Sequence, residues 1–191
     1  MRKIILDLAV TLDGFIEGPN GEIDWCILDD DGDFKNSDFG RFLDTVDTIL
    51  YGRISYDLWG EYQPKPDAGA TMKALFEAVH SKKKIVFSNT IPQTITKKVT
   101  YVNDDLVTWA SELRKQPGKD IWLYGGAKLI TGFINAGLVN TYRLAVHPII
   151  LGSGKPLFDQ IQQRHPLRLV SSTPTSSGLI VLVYESQSGH G

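Results

Sequence analysis

Ile121-Trp122-Leu123-Tyr124-Gly125-Gly126-Ala127-Lys128-Leu129-Ile130 runs from an apolar strand through two glycines into a helix. Two residues without Cβ let an anion come close to the backbone, and the helix that follows points free N–H groups toward it. Lys128 adds a cation in the first turn. A tight strand-to-helix turn with no ligand has the same local sequence, so the reading depends on what accompanies it.

Strands and helices alternate on both sides of this turn. Residues 3–11 read as a first strand, followed by the Gly-rich loop Glu17-Gly18-Pro19-Asn20-Gly21. Phe39, Phe42, Leu43 and Val46 have helical spacing over residues 37–46. A strand over residues 48–51 leads into a short helix from about Ser55. A helix is expected over 69–81, a strand over 84–88 and another over 99–102. Asn103 is the expected cap of a helix that ends near Lys115. The strand 120–124 and the helix 127–136 follow, with Gly137 as the stop. A long strand is expected over 141–150, and residues 167–172 and 178–185 read as a terminal hairpin. The alternation predicts an α/β layered fold with a central, mostly parallel mixed sheet, helices on both faces and a C-terminal antiparallel hairpin. Residues 1–186 are expected as one domain, with 187–191 as a small polar tail.

Composition narrows the class of function. The chain has 191 residues, 42% hydrophobic and 22% charged, enough for one sizeable core. A net charge of -2 provides no general basic field for nucleic acid, and the aromatic residues do not interleave with basic ones. Cys26 is the one cysteine, so no intrachain disulfide can form, which fits a reducing compartment. The apolar run near Met1 is cut by Asp7 and is too short for a signal segment or a membrane span. A cytoplasmic location is the expectation.

Two further strand ends change the weight of the Gly-Gly turn. Tyr51-Gly52-Arg53-Ile54-Ser55-Tyr56 follows a strand and supplies a guanidinium and a hydroxyl at a second helix start. Arginine can grip a phosphate with two parallel hydrogen bonds, although a surface arginine in a turn looks the same. Val86-Phe87-Ser88-Asn89 is a third strand end with small polar residues, or simply a polar loop. In parallel sheets, ligands gather at the carboxyl ends of strands.

In this order, these segments resemble the dihydrofolate reductase-like superfamily, in the branch that holds the carboxy-terminal reductase domain of riboflavin biosynthesis. Leu12-Asp13-Gly14-Phe15-Ile16, Ala136-Gly137-Leu138-Val139 and Pro148-Ile149-Ile150-Leu151-Gly152-Ser153-Gly154-Lys155-Pro156-Leu157-Phe158 belong to the same pattern, which covers nearly the whole chain. The resemblance implies NADPH as cofactor. It places Arg53 and Ser88 at the adenosine 2′-phosphate, with Lys128 assisting. Ser55 and the backbone of Gly125, Gly126 and Ala127 would hold the pyrophosphate, Gly52 would belong to the same cofactor site, and Ala9 and Ile16 would border the nicotinamide. It implies hydride transfer to a planar C=N or C=O substrate such as a pterin or a pyrimidine. The alternatives are the riboflavin-pathway reductase of 5-amino-6-(5-phosphoribosylamino)uracil and a nucleotide-binding protein without catalysis. It also implies a homodimer formed through the last strands.

The substrate side is less constrained. Asp30 follows Trp25 at the spacing at which dihydrofolate reductases carry a proton-donating acid, yet it lies in the run Asp29-Asp30-Asp31-Gly32-Asp33, which also suits a solvated loop. Asp24 replaces the proline expected before the tryptophan, Ala145 replaces a threonine partner, and Asp7 stands where an apolar residue near the substrate is usual. Asp13 is either near the active cleft or part of an Asp-Gly turn. Trp25 either lines a flat substrate's pocket or is core. Gly152-Ser153-Gly154-Lys155 either cradles a substrate phosphate or is a flexible turn, and it is not a Walker loop. The four histidines lack metal-ligand spacing, and no metal is expected. In the acidic run, Ile27 and Asp38 would fall at the first and twelfth positions of a calcium loop, which removes the required ligands.

Overall fold

Strands buried on both faces read as unbroken apolar runs, and the core of this protein is built from them. A computed structural model describes residues 1–27, 33–96 and 98–187 of the chain. They fall into two compact units: Met1–Arg2 with Asp30–Gly126, and Lys3–Asp29 with Ala127–Gly191.

The first unit contains β3 (Val46–Gly52), β4 (Lys83–Phe87), β5 (Thr94–Ile95), β6 (Val99–Val102) and β7 (Asp120–Gly125), in the order β7-β3-β4-β6-β5. β7, β3, β4 and β6 are parallel neighbours, and β5 closes the edge antiparallel to β6. Ile49, Leu50, Tyr51, Ile85, Val86, Ile121 and Leu123 are wholly inaccessible to solvent. Helix α1 (Asp38–Thr45) starts at Ser37, whose Oγ accepts from the Gly40 amide at 3.0 Å, and it buries Phe42 and Leu43. Phe39 and Phe42 both stand edge-on to Trp122. The helical turn α2 (Arg53–Ser55) widens directly into a π-helical turn over Tyr56–Gly60. Helix α3 (Ala70–His80) follows. Helix α4 (Leu106–Lys115) is capped by Asp105, not Asn103: the Asp105 carboxylate accepts from the Thr108 amide at 2.8 Å.

The second unit contains β1 (Ile4–Thr11), β2 (Phe15–Glu17), α5 (Ala127–Asn135), β8 (Thr141–His147), β9 (Lys155–Pro156), β10 (Leu167–Pro174) and β11 (Ile180–Ser186). Its strand order is β10-β11-β8-β1. β1 and β8 are parallel, and β11 and β10 add the expected antiparallel hairpin. Helix α5 buries Leu129, Ile130, Phe133 and Ile134. It stops at Gly137, which has φ 63°, and the Leu138 amide returns to the Phe133 carbonyl at 3.0 Å. β8 is shorter than the expected 141–150. It ends at His147, before Pro148, which has no N–H to donate to a sheet. Phe15–Glu17, expected as turn and loop, pairs instead with Lys155–Pro156 as a second, two-stranded sheet. The fold is mixed α/β with mostly parallel strands. Among the described residues no helix is long and apolar enough to cross a membrane.

Candidate functional site

The parallel register of the first unit sets three strand ends side by side. Tyr51 of β3 lies opposite Gly125 of β7, and Gly52 lies opposite Phe87 of β4. Gly125-Gly126, Gly52-Arg53 and Ser88 therefore follow the carboxyl ends of three adjacent parallel strands, on the same side of the sheet. This is the convergence expected from the sequence.

Between β3 and β7 the backbones leave a crevice. A Cβ on Gly52 would lie 3.6 Å from both the Gly125 carbonyl oxygen and Gly126 Cα, so one methyl group would fill it. Gly126 has φ 46°, in the left-handed region that side chains disfavour. The Ser55 hydroxyl accepts from the Gly126 amide at 2.9 Å, which ties the turn after β3 to the bend after β7. The Gly126 N–H is thus committed to Ser55. The Ser55 O–H can still donate. An anion at this crevice would meet the Ser55 hydroxyl as a donor.

Aromatic rings cluster around Tyr51 at the end of β3. Tyr51 packs on Tyr124 at 4.8 Å and on Tyr56 at 5.7 Å. Burial, with Tyr124 next in effect, pushes the Tyr51 phenol far above its usual range. The Tyr56 hydroxyl donates to Glu61 at 2.7 Å, and this bond, with Lys84 beside it, holds the Glu61 carboxyl below its usual range. Buried Lys84 also donates to the Gly60 carbonyl, to Glu61 at 3.2 Å and to His80 Nδ1 at 3.1 Å. One ammonium therefore anchors the end of the segment that begins with Arg53 and Ser55.

The remaining sequence candidates are placed unevenly. The Arg53 guanidinium is paired with Asp57 one helical turn on, and both side chains are partly exposed. Ser88 is buried, and its hydroxyl accepts from the Thr90 and Ile91 amides at 3.2 and 3.1 Å. It shapes its own loop. Ala9, Ile16, Ala127, Lys128, Asp13 and Trp25 belong to the second unit. Ala9, Ile16 and Ala127 are half-buried, and Lys128 is exposed. Asp30 lies outside the described residues.

Asp13 is exposed and fully engaged. Its carboxylate accepts from the Thr11 hydroxyl at 2.7 Å and from the Gly152 and Leu151 amides at 2.8 and 3.2 Å. These bonds, the Thr11 hydroxyl foremost, hold its pKa below the usual 3.8. Asp13 is an ionised clasp between two loops, and that state does not suit a proton donor near neutral pH. Trp25 is buried and stands edge-on to His147, with ring centroids 5.1 Å apart. His147 and Arg143 carry no sequence signal, and Asp7 shows in the sequence only as a departure from the apolar residue usual near the substrate. Asp7 and Arg143 form a buried ion pair between β1 and β8. A lone histidine at a strand end carries no spacing signal. Among the described residues no group of three His, Cys, Asp or Glu could hold a metal ion.

Comparison with known proteins agrees with this architecture. The model of the RibD C-terminal domain matches residues 2–181, across both units. The uncharacterized protein YyaP of Bacillus subtilis is 55% identical over 183 residues, covering 96% of this chain and 94% of its own length. A putative riboflavin biosynthesis protein from Shewanella sp. PV-4 superposes with a TM-score of 0.77 at 23% identity, covering 97% of this chain and 99% of that one. Dihydrofolate reductase from Enterococcus faecalis, solved with NADP(H), superposes with a TM-score of 0.64 at 16% identity, with 97% of each chain covered. Both structures share the fold. With its dihydrofolate reductase-like fold and a family match over nearly its whole length, the chain belongs to the RibD C-terminal domain family.

Proposed function

We propose that this protein is an NADPH-dependent oxidoreductase that reduces a C=N or C=O group of a planar heterocycle, a pterin or a pyrimidine. The observation that carries the reading is the crevice walled by Gly52 and Gly126, with Ser55 hydrogen-bonded across it. Such a crevice suits the pyrophosphate of a dinucleotide. When bound, the cofactor would supply a hydride equivalent. In the first unit, Gly52, Ser55, Gly125 and Gly126 hold the anion. Arg53 is close enough to this turn to exchange Asp57 for a 2′-phosphate, because an exposed ion pair is worth little. In the second unit, Lys128 and Ala127 open α5, and Ala9 and Ile16 offer apolar contacts for a flat ring.

The family and the fold support a substrate related to riboflavin precursors, with 5-amino-6-(5-phosphoribosylamino)uracil as the specific alternative. The engaged, ionised Asp13 favours a second reading, a nucleotide-binding protein without turnover. A homodimer is part of the proposal. β10 is an edge strand with Leu167, Leu169 and Val170 exposed, a surface suited to a second copy in the cytoplasm. The deciding experiment is a fluorescence titration with NADPH and NADH. NADPH is expected to bind more tightly, and failure of both to bind overturns the cofactor assignment.

A further inference from the structure

His80 is the last residue of α3, and both of its ring nitrogens are engaged. Nδ1 lies 3.1 Å from the Lys84 ammonium, and Nε2 lies 2.8 Å from the Tyr62 carbonyl. An ammonium offers N–H groups only, and a carbonyl offers lone pairs only. Nδ1 is therefore the bare nitrogen, and Nε2 carries the proton. The arrangement suits one tautomer of the neutral ring. The groups that face this ring are Lys84 of β4, the Glu61 carboxylate, the Tyr62 carbonyl and the Gln63 amide after the π-helical turn, and Phe76 one turn back in α3.

Histidine is the side chain whose charge ordinarily changes between about pH 5 and 8. A second proton on this ring would sit on Nδ1, opposite the Lys84 ammonium. Two donors and two cations would then meet across 3.1 Å. The ammonium has little freedom to retreat, because Lys84 is buried and also donates to the Gly60 carbonyl. The ring is half-buried, and a carboxylate stands beside it. Glu61 accepts from the Tyr56 hydroxyl at 2.7 Å and from Lys84 at 3.2 Å. The Tyr56 bond is the main cause that holds the Glu61 carboxyl below its usual range. An imidazolium draws on the same carboxylate with a full charge, and bonds between two charged groups are stronger than one from a neutral hydroxyl. Tyr56 is the partner that gives way. It follows Ser55 directly and packs on Tyr51.

We infer that His80 is a pH-sensitive latch on the crevice at Ser55 and Gly126. The neutral ring completes the acceptors around Lys84 and keeps the segment from Arg53 to Gly60 in place. The protonated ring takes Glu61 from Tyr56, and the turn at Ser55 loosens. The effect on cofactor binding rests on the proposed reductase reading and adds its regulation. The latch itself needs no ligand.

Hydrogen exchange of the full chain is measured at about pH 7.5 and about pH 5.5, within the range of histidine titration. The readout is the exchange rate of the Gly126 amide divided by that of the Gly40 amide, which Ser37 caps separately. The common effect of pH on exchange chemistry cancels in this ratio. In wild type the ratio is expected to rise about threefold or more at the lower pH, as the crevice opens locally. His80→Gln keeps an acceptor for Lys84 and a donor for Tyr62 but takes up no proton, so its ratio is expected to stay constant. Glu61→Gln keeps an acceptor for Tyr56 and removes the charge that the imidazolium captures, so its ratio is expected to stay constant too. NADP+ affinity is measured by calorimetry at the same two pH values. It is expected to fall about threefold more in wild type than in His80→Gln, a comparison that removes the titration of the cofactor's own phosphate. A constant ratio in wild type overturns the inference, as does an equal rise in either variant. Identical pH dependence of NADP+ affinity in wild type and His80→Gln overturns it as well. Wild-type protein that binds no NADP+ at either pH overturns the reductase reading instead, and the exchange ratio alone then decides the latch.

Discussion

Ser55 Oγ accepts the amide proton of Gly126 at 2.9 Å, across 71 residues of chain. This bond fixes the distance between the turn after β3 and the bend after β7, and hence the width of the crevice. Ser55→Ala leaves a partly buried amide unpaired, which costs about 1 kcal/mol. It also removes the hydroxyl that would donate to a pyrophosphate. The expected outcome is a small drop in the urea midpoint together with a loss of NADPH affinity of about tenfold, of the order of one charge-assisted hydrogen bond.

Gly52 separates ligand binding from stability. Its φ of -74° and ψ of 151° are open to any residue. A Cβ there would make ordinary contacts at 3.6 Å and would occupy the crevice. Gly52→Ala should therefore leave the protein as stable as before, or more stable by about 0.5 kcal/mol, because the unfolded chain loses freedom. NADPH affinity should fall all the same. If thermal unfolding and NADPH titration fall together, Gly52 serves the fold and not a ligand.

Arg53 and Asp57 form an exposed pair one helical turn apart. Such pairs contribute about 0.3–0.5 kcal/mol and weaken with salt. Arg53→Ala should barely move the melting temperature. It should reduce affinity for NADPH and leave affinity for NADH unchanged. Asp57→Ala should act in the opposite direction, because it frees the guanidinium for a phosphate. Equal effects of Arg53→Ala on both cofactors would assign the 2′-phosphate to another cation.

Much of this arrangement is legible in the sequence, and the parts that are not have physical reasons. β3, β4 and β7 are buried on both faces, so their apolar runs are continuous and their glycine- or serine-bearing ends stand out. The α4 cap lies two residues beyond Asn103 because Asn103 and Asp105 have the same capping chemistry, and only the backbone decides which one faces Thr108. The pairing of Phe15–Glu17 with Lys155–Pro156 joins segments far apart in sequence, and neither is long enough to show a period. The Asp7–Arg143 pair stayed hidden for a related reason: the register between β1 and β8, not any local pattern, makes the two residues neighbours.

Asp13 makes stability depend on pH in a calculable direction. Its folded pKa lies below the ordinary 3.8, with the Thr11 hydroxyl as the main cause. A depressed carboxyl contributes stability above its unfolded pKa, and that contribution disappears as pH falls through the folded pKa. Asp13→Asn should therefore be less stable than wild type at neutral pH. The gap should narrow as both are titrated below about pH 4. A gap that holds constant down to low pH would mean that the geometry of the clasp, and not its charge, joins the loop at Thr11 to the one at Gly152.

Lys84 is the charge whose removal should be felt farthest from its own position. It is buried at the start of β4, yet its ammonium reaches Gly60, Glu61 and His80, and Glu61 in turn receives the Tyr56 hydroxyl. Lys84→Met keeps the packed stem and deletes the donor. The Gly60 carbonyl and Glu61 then lose a charged partner, at a cost of about 1–3 kcal/mol. Because Gly60 ends the helical segment that begins at Arg53 and carries Ser55, the turn at the crevice should loosen as well. Hydrogen exchange should show faster exchange of the Gly126 amide in Lys84→Met than in wild type, beyond the change measured at Gly40, which is capped separately by Ser37. Equal acceleration at both amides would indicate a general loss of stability and no link between Lys84 and the crevice.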